Sequence, residues 1–377
     1  MGGRPIIFYA FSSQSWDSYF PILVELLSCD PSIENRISVC APCDHYDFRS
    51  EASKQLFDLF HARYEGPPSS KGGQLTPYPY VLVTTHIPDP ALGLSDGFYV
   101  HVPHGSGFGN SESQDYVLSC FQAANVYCGI SPAELLFIRE VLGSEVAESV
   151  PFVATGCPKN DMFASYVEAS EEERAQLRAQ IKQSLKIPAD QAVVFIASHW
   201  TPSGLLRKFG TGLIQALSAL GDQVRIIQGS HPNLWNQHVS AQTSQWIDQS
   251  LCREVDRGAV ALSLGVSDAT ALLASDVVVA DVSSIVIEAA LLEKPLMLHI
   301  DRQSFRSDEV YQIYSGVGIQ FSGADDLVQS FLRGVSFPEK RTEMLRKNKE
   351  LFGYNLGGAS KKVAEVILSA ARDPGGL

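Results

Sequence analysis

The chain of 377 residues is 45% hydrophobic and 19% charged, with a formal net charge of −13. That length holds two α/β domains of ordinary size. The acidic balance opposes broad attraction to nucleic acid or to an anionic membrane while permitting a local basic site, and no apolar run approaches the ~20 residues that span a bilayer.

The N-terminal run MGGRPIIFYAF reads as a strand, not a signal peptide, because its apolar part is short and no cleavage pattern follows. Ser12–Asp17 reads as the turn that leaves it. Seven cysteines scattered over the chain fit a reducing cytoplasm. Cys40 and Cys43 are the one close pair; with no second pair, they read as half-buried thiols. Strand candidates in the first half are Pro5–Phe11, Ile37–Cys40, Tyr80–Thr84, Phe98–Val102, Asn125–Cys128 and Phe152–Thr155. Helical patterns at Tyr19–Ser28, Ser50–Ala62 and Ser131–Leu142 alternate with them. Gly66–Pro79, rich in Pro, Gly and Ser, predicts a long surface loop.

A charged helix, Ser170–Leu185, leads into a second series. Its strands are Ala192–Ser198, Val224–Gln228, Ala259–Leu262, Val277–Ala280 and Leu296–Ile300, with helices at Leu206–Leu220 and Asp268–Leu273. The alternation predicts two doubly wound domains, 1–168 and 169–377, facing a central cleft. The last helices, near Glu339–Leu351 and Ser360–Ala371, can pack back on the first domain. No G-x-G-x-x-G follows the first strand, and the spacing of Gly105-Ser106-Gly107-Phe108-Gly109 is wrong for one, so a nicotinamide enzyme is disfavoured. No P-loop occurs. No cofactor is expected.

The chemistry-bearing residues cluster where strands end. Asp281, Ser283 and Ser284 follow Val277–Ala280, and the serines are suited to cap a helix beginning near Ile285. Such a helix end offers N–H groups and partial positive charge to a phosphate; alone, the turn is equally an ordinary capped helix. Of nine histidines, His104, His199 and His231 each follow a predicted strand, and imidazole suits proton transfer near neutral pH. None has the short-spaced carboxylate or cysteine neighbours of a zinc site, so no metal is expected. His101 and His299 read as strand residues; His45, His61, His86 and His238 show no pattern. The turn Gly156-Cys157-Pro158-Lys159-Asn160-Asp161 ends a strand, with Asn160 or Asp161 placed to cap the next helix and Lys159 able to meet an anion.

Taken in order, His104-Gly105, Gly156–Asp161, His231-Pro232, Asp281-Val282-Ser283-Ser284 and Lys294-Pro295 resemble the CDP-glycerol glycerophosphotransferase family of teichoic-acid and capsule polymer synthesis. The resemblance runs from about residue 98 to residue 301. It implies a GT-B architecture of two Rossmann-like domains and transfer of glycerol phosphate from CDP-glycerol, or a similar nucleotide donor, to a hydroxyl acceptor. CMP leaves, and no metal takes part. It also implies His104 as general base, His231 as the residue stabilising the donor pyrophosphate, and Ser283 and Ser284 as phosphate ligands. The acceptor would be a polyol phosphate, a glycan or a lipid-linked molecule, met in the cytoplasm with peripheral contact at the inner face of the membrane; no nucleic acid is involved. Three departures stand out. The family's Thr-Trp-Arg is replaced by Ser198-His199-Trp200, leaving His199 or Arg207 for the anion; no lysine follows His104-Gly105 closely; and Glu288 stands where aspartate is usual. Two other readings compete: a GT-B glycosyltransferase or non-hydrolysing epimerase acting on a nucleotide sugar, with Glu288 facing a ribose or sugar, and a binding protein without turnover.

Overall fold

The computed structural model describes residues 4–42, 51–66, 78–105, 107, 114–199, 203–230, 260–262, 268–305, 307–332 and 340–372. They form two compact units, one within Met1–Phe108, Ser113–Ala164 and Leu351–Leu377, the other within Gly109–Glu112 and Ser165–Glu350. Each unit is built on a sheet of six strands.

The first sheet comprises β1 (Ile6–Tyr9), β2 (Ile37–Cys40), β3 (Val81–Thr84), β4 (Phe98–His101), β5 (Val126–Gly129) and β6 (Phe152–Ala154), ordered β2-β1-β3-β4-β5-β6. All its pairings are parallel. Both faces of β1 are covered: Ile6 and Phe8 join one apolar cluster, Ile7 and Tyr9 another. That is why the run is continuously apolar instead of alternating. The helix Ser13–Cys29 starts directly after β1, with the Ser12 side chain accepting from Ser15 N. The expected turn at Ser12–Asp17 is therefore already helix.

The last helix, Ala359–Arg372, supplies Val363, Ala364, Val366, Ile367, Ala370 and Ala371 to the core of this first unit. Its N-terminus is capped from a distance. The Asp161 carboxylate accepts from the N–H groups of Gly357 (2.8 Å), Ala359 (3.2 Å) and Ser360 (2.7 Å). Asn355 Nδ2 donates to the Thr155 carbonyl at 2.9 Å. Gly156 has φ +88°, and a Cβ there would lie 2.5 Å from the Tyr354 carbonyl oxygen, so only glycine fits. The helix expected to be capped by Asn160 or Asp161 starts later, at Ala164–Glu168, after a 3-10 turn, Pro158–Phe163, that contains both residues and whose own N-cap, Cys157, makes no side-chain bond.

The second sheet comprises β7 (Ala192–Ser198), β8 (Val224–Ser230), β9 (Val260–Leu262), β10 (Val277–Ala280), β11 (Leu296–Leu298) and β12 (Ile319–Gln320). Its order is β12-β11-β10-β7-β8-β9, again parallel throughout. Counted from the first strand of the unit, this is the 3-2-1-4-5-6 order of dinucleotide-binding folds, read from the far edge. The helix expected over Leu206–Leu220 is two helices, Leu205–Phe209 and Gly212–Ser218. Gly210 breaks it with φ 58° and ψ −134°, a conformation that costs little only for glycine. Among the described residues no helix is long and apolar enough to cross a membrane.

Candidate active site

Open parallel sheets bind ligands beyond the carboxyl ends of their strands, where the strand order reverses. In the first sheet that point lies between β1 and β3. Thr84, Thr85 and His86 leave β3 there, and His104 follows β4 by three residues. The rings of His86 and His104 lie 4.6 Å apart at 32°, and Tyr116 flanks both, at 5.2 and 6.2 Å. Phe11, just past β1, closes the other side of His86 at 4.9 Å.

Thr85 organises this cluster from both ends. Its carbonyl oxygen accepts a hydrogen bond from Tyr116 Oη at 3.1 Å, and the same carbonyl works against burial in raising the His104 pKa. Its hydroxyl is hydrogen-bonded to His86 Nδ1 at 2.6 Å and to Ser15 Oγ at 2.8 Å. Burial, and next the charge of Lys159, push the His104 pKa down to about 4. His104 is therefore neutral near pH 7 and able to accept a proton. Lys159 is itself buried, at 5% exposure. The Cys157 thiol donates to the Gly105 carbonyl at 3.7 Å, tying the Gly156–Asp161 turn to the His-Gly loop. So His104, Gly105 and Lys159 come together, whereas Asp161 is spent on the last helix. His101, the last residue of β4, stacks on Tyr127 at 4.5 Å, and burial holds its pKa near 3. It is a structural ring, as its place in a strand suggests.

His86 had no motif to mark it. Its signal was the one used for His104, a histidine just beyond a buried strand at the ligand end of a sheet.

In the second sheet the order reverses between β7 and β10, and Asp281 and His199 meet there. Asp281 is fully buried. Its Oδ2 accepts from His199 N at 2.8 Å and Leu205 N at 2.9 Å, and its Oδ1 from Ser283 N at 3.2 Å. The carboxylate, expected to line a cleft, is thus a brace holding three pieces of backbone. Ser284 occupies the N-cap position of the helix Ile285–Leu291 with helical angles, φ −62° and ψ −17°, and its side chain makes no cap bond. The expected serine cap is absent because a residue already in the helical region cannot fold its side chain back onto the first turn. Ser283 and Ser284 carbonyls take the N–H groups of Val286, Ile287 and Glu288. The N–H groups of Ser284 and Ile285 meet no acceptor among the described residues. The Ser283 hydroxyl is buried without a partner among them, and so is Arg207 Nε, on the helix Leu205–Phe209.

Glu288, expected at the site surface, is fully buried within its helix. Its charge adds to burial in pushing the Tyr314 hydroxyl pKa far up. Lys294 of the Lys-Pro pair is also interior. Its Nζ donates to the Leu273 and Ser275 carbonyls at 3.1 and 2.9 Å, closing the end of the helix Asp268–Ala274. His231, Cys43 and positions 67–77 of the predicted loop lie outside the described residues. Among those described, no group of three His, Cys, Asp or Glu is placed to hold a metal ion.

The chain is similar in structure to the wall teichoic acid polymerase TagF, with a TM-score of 0.62 and 14% identity over 97% of this chain and 88% of that one. It is also similar to UDP-GlcNAc 2-epimerase from Neisseria meningitidis bound to UDP-GlcNAc (TM-score 0.52, 14% identity, 97% and 100% covered). S. aureus MnaA with UDP gives a TM-score of 0.55 at 11% identity, covering 97% and 95%. These likenesses establish the fold, GT-B, with two Rossmann-like units in one chain. No curated protein matches in sequence. A family model described as CDP-glycerol:poly(glycerophosphate) glycerophosphotransferase matches residues 148–369. That stretch is more than half of the chain and runs through both the Gly156–Asp161 and Asp281–Ser284 turns, so the chain belongs to the CDP-glycerol:poly(glycerophosphate) glycerophosphotransferase family.

Proposed function

We propose that this chain transfers glycerol phosphate, or a related polyol phosphate, from a CDP-alcohol to a hydroxyl acceptor and releases CMP. The observation that carries the reading is the place of His104, at the ligand end of the first sheet three residues beyond β4, packed against His86 and Tyr116 and kept neutral by burial and Lys159. In the proposed step the acceptor oxygen attacks the donor's β-phosphorus, and the bond from that phosphorus to the bridging oxygen breaks. CMP departs with the bonding pair, and His104 takes the acceptor's proton. A donor phosphate beside Lys159 offsets that lysine's charge, so His104 becomes more basic when the donor is bound. Ser283, Ser284 and the N–H groups of their turn are assigned to the donor phosphates. Arg207 and His199 take the anion contact that the family's Thr-Trp-Arg supplies, and His231 the pyrophosphate. The scheme uses no metal.

The acceptor class is a polyol phosphate, glycan or lipid-linked chain, reached from the cytoplasm with peripheral contact at the membrane. The domains are assigned as an acceptor-side 1–168 and a donor-side 169–377 whose last helix packs back on the first. The test is a donor screen in which the released nucleotide is identified by mass, with and without EDTA. CMP from CDP-glycerol, insensitive to chelation, is the expected result, and His104→Ala should lower kcat by about 10²–10⁴-fold. Release of UDP from a UDP-sugar, with no CMP from CDP-alcohols, would instead favour the nucleotide-sugar enzymes whose fold this chain shares.

A further inference from the structure

We infer that His86 is a positioning residue for His104, a second imidazole whose stacked ring fixes the first in the orientation a general base needs. The inference rests on the proposed role of His104 but on separate observations. The two rings are in tilted contact at 4.6 Å. Neither loop is held by a ladder at this point, since β3 ends at Thr84 and β4 at His101. What holds the pair is Thr85, whose hydroxyl binds the His86 ring and whose carbonyl binds Tyr116, the ring that flanks both imidazoles. Ser15, on the helix after β1, adds a 2.8 Å bond to the Thr85 hydroxyl and a 3.5 Å contact to His86 Nδ1. Three successive chain segments at the strand reversal therefore converge on one imidazole.

The space beside His86 is nearly filled. The hollow next to it, lined by Thr84, Ile87, Tyr99, His101 and Cys120 among others, has about 10 Å³, room for no more than about one water. The ring is packed in place, and the two hydroxyls set its tilt. Phe11 and Ile87 are 38% and 44% exposed, large apolar side chains left at the mouth of the cluster. The groups facing the pair are Lys159, which opposes a second positive charge, the neutral His101 ring, and the Tyr116 hydroxyl, which burial keeps protonated.

A misplacement of about 1 Å in a general base costs up to about 10²-fold in rate. We expect His86→Ala to lower kcat about 10–100-fold with KM for the donor within about threefold. His86→Phe, which keeps the stacked ring, should restore most of that loss. Opening His104 to water should move the acid limb of the kcat/KM profile to higher pH in His86→Ala and not in His86→Phe. Thermal unfolding of each variant separates these effects from loss of fold. Unchanged kcat and an unchanged acid limb in a folded His86→Ala protein overturn the inference. So does a His86→Phe variant as impaired as His86→Ala. The His104 ring titration, followed by NMR, distinguishes this failure from failure of the functional reading. If His104→Ala retains full turnover, the reading of His104 as base is wrong whatever His86 does. If the His104 titration moves up in His86→Ala although no CDP-alcohol is turned over, the positioning stands and the reaction does not.

Discussion

At the scale of single residues, the interior of the first unit holds an acid whose charge the fold resists. Glu134 is 2% exposed and accepts from Tyr127 Oη at 2.9 Å and from Ile130 N at 2.6 Å. Burial dominates those two bonds and raises its pKa from 4.5 to about 7. The folded protein therefore holds this proton between those values while the unfolded chain has lost it. The stabilising contribution is complete below about pH 4.5 and is lost as pH rises toward and past 7. The gap corresponds to at most about 3 kcal/mol. Glu134→Gln keeps both bonds, with the amide oxygen accepting from Ile130 and the amide nitrogen donating to Tyr127. It should match the wild type in urea unfolding at pH 5 and exceed it by about 1–3 kcal/mol at pH 8. A difference that is equal at both pH values would show that the carboxyl is not protonated in the fold. A carboxylate of the opposite kind stands at Asp281, where three N–H groups stabilise the charge. The sequence made these two acids look alike in importance only for Asp281, because Asp281 sits in a recognisable turn and Glu134 in an ordinary helix start.

At the scale of elements, the strands were legible because parallel strands covered on both faces must be continuously apolar. Ile37–Cys40, Ala192–Ser198 and Val277–Ala280 fall where the β-branched runs place them. The division at Gly210 was not legible, since Leu205, Leu206, Leu213, Ile214 and Leu217 all remain buried and the apolar pattern runs across the break. The role of Asp161 could not have been read locally either, because its partners are 196 to 199 residues away. The sequence places Asp161 to cap the helix that follows it, and its carboxylate instead caps the last helix of the unit. Removing a capping carboxylate costs about 1–2 kcal/mol, and this one serves three donors with a charged group. Asp161→Ala should therefore lower the stability of the first unit by about 2 kcal/mol. Hydrogen exchange should show the N–H groups of Gly357–Ser360 deprotected first, with Asp161→Asn intermediate. If those amides exchange as in the wild type, the cap is not what secures the helix.

At the scale of the whole molecule, the two units differ in how their chains are assembled. The second is drawn almost wholly from one continuous segment, Ser165–Glu350, and its core cluster runs from Val194 to Leu327. The first needs its final segment, Leu351–Leu377, because the last helix covers one face of the sheet with six buried residues. Without them, Ile6, Phe8, Val83 and Val100 would lose their cover on that face. At about 2–5 kcal/mol for each large apolar side chain uncovered, that loss is as large as the ~5–15 kcal/mol by which a domain is stable. The element pattern of the first half, read by itself, shows a complete sheet; the sequence allows the last helices to pack back on it but does not say which residues join them. Asp161 and Gly156 are where the last segment is joined. A fragment of residues 165–350 should therefore unfold cooperatively in denaturant. A fragment of residues 1–164 should lack a cooperative transition, and should gain one when residues 351–377 are joined to it through a flexible linker. Cooperative unfolding of 1–164 alone would mean that the last helix rests on a unit already complete. Its Asp161 cap would then be a late addition to the fold, not a condition of it.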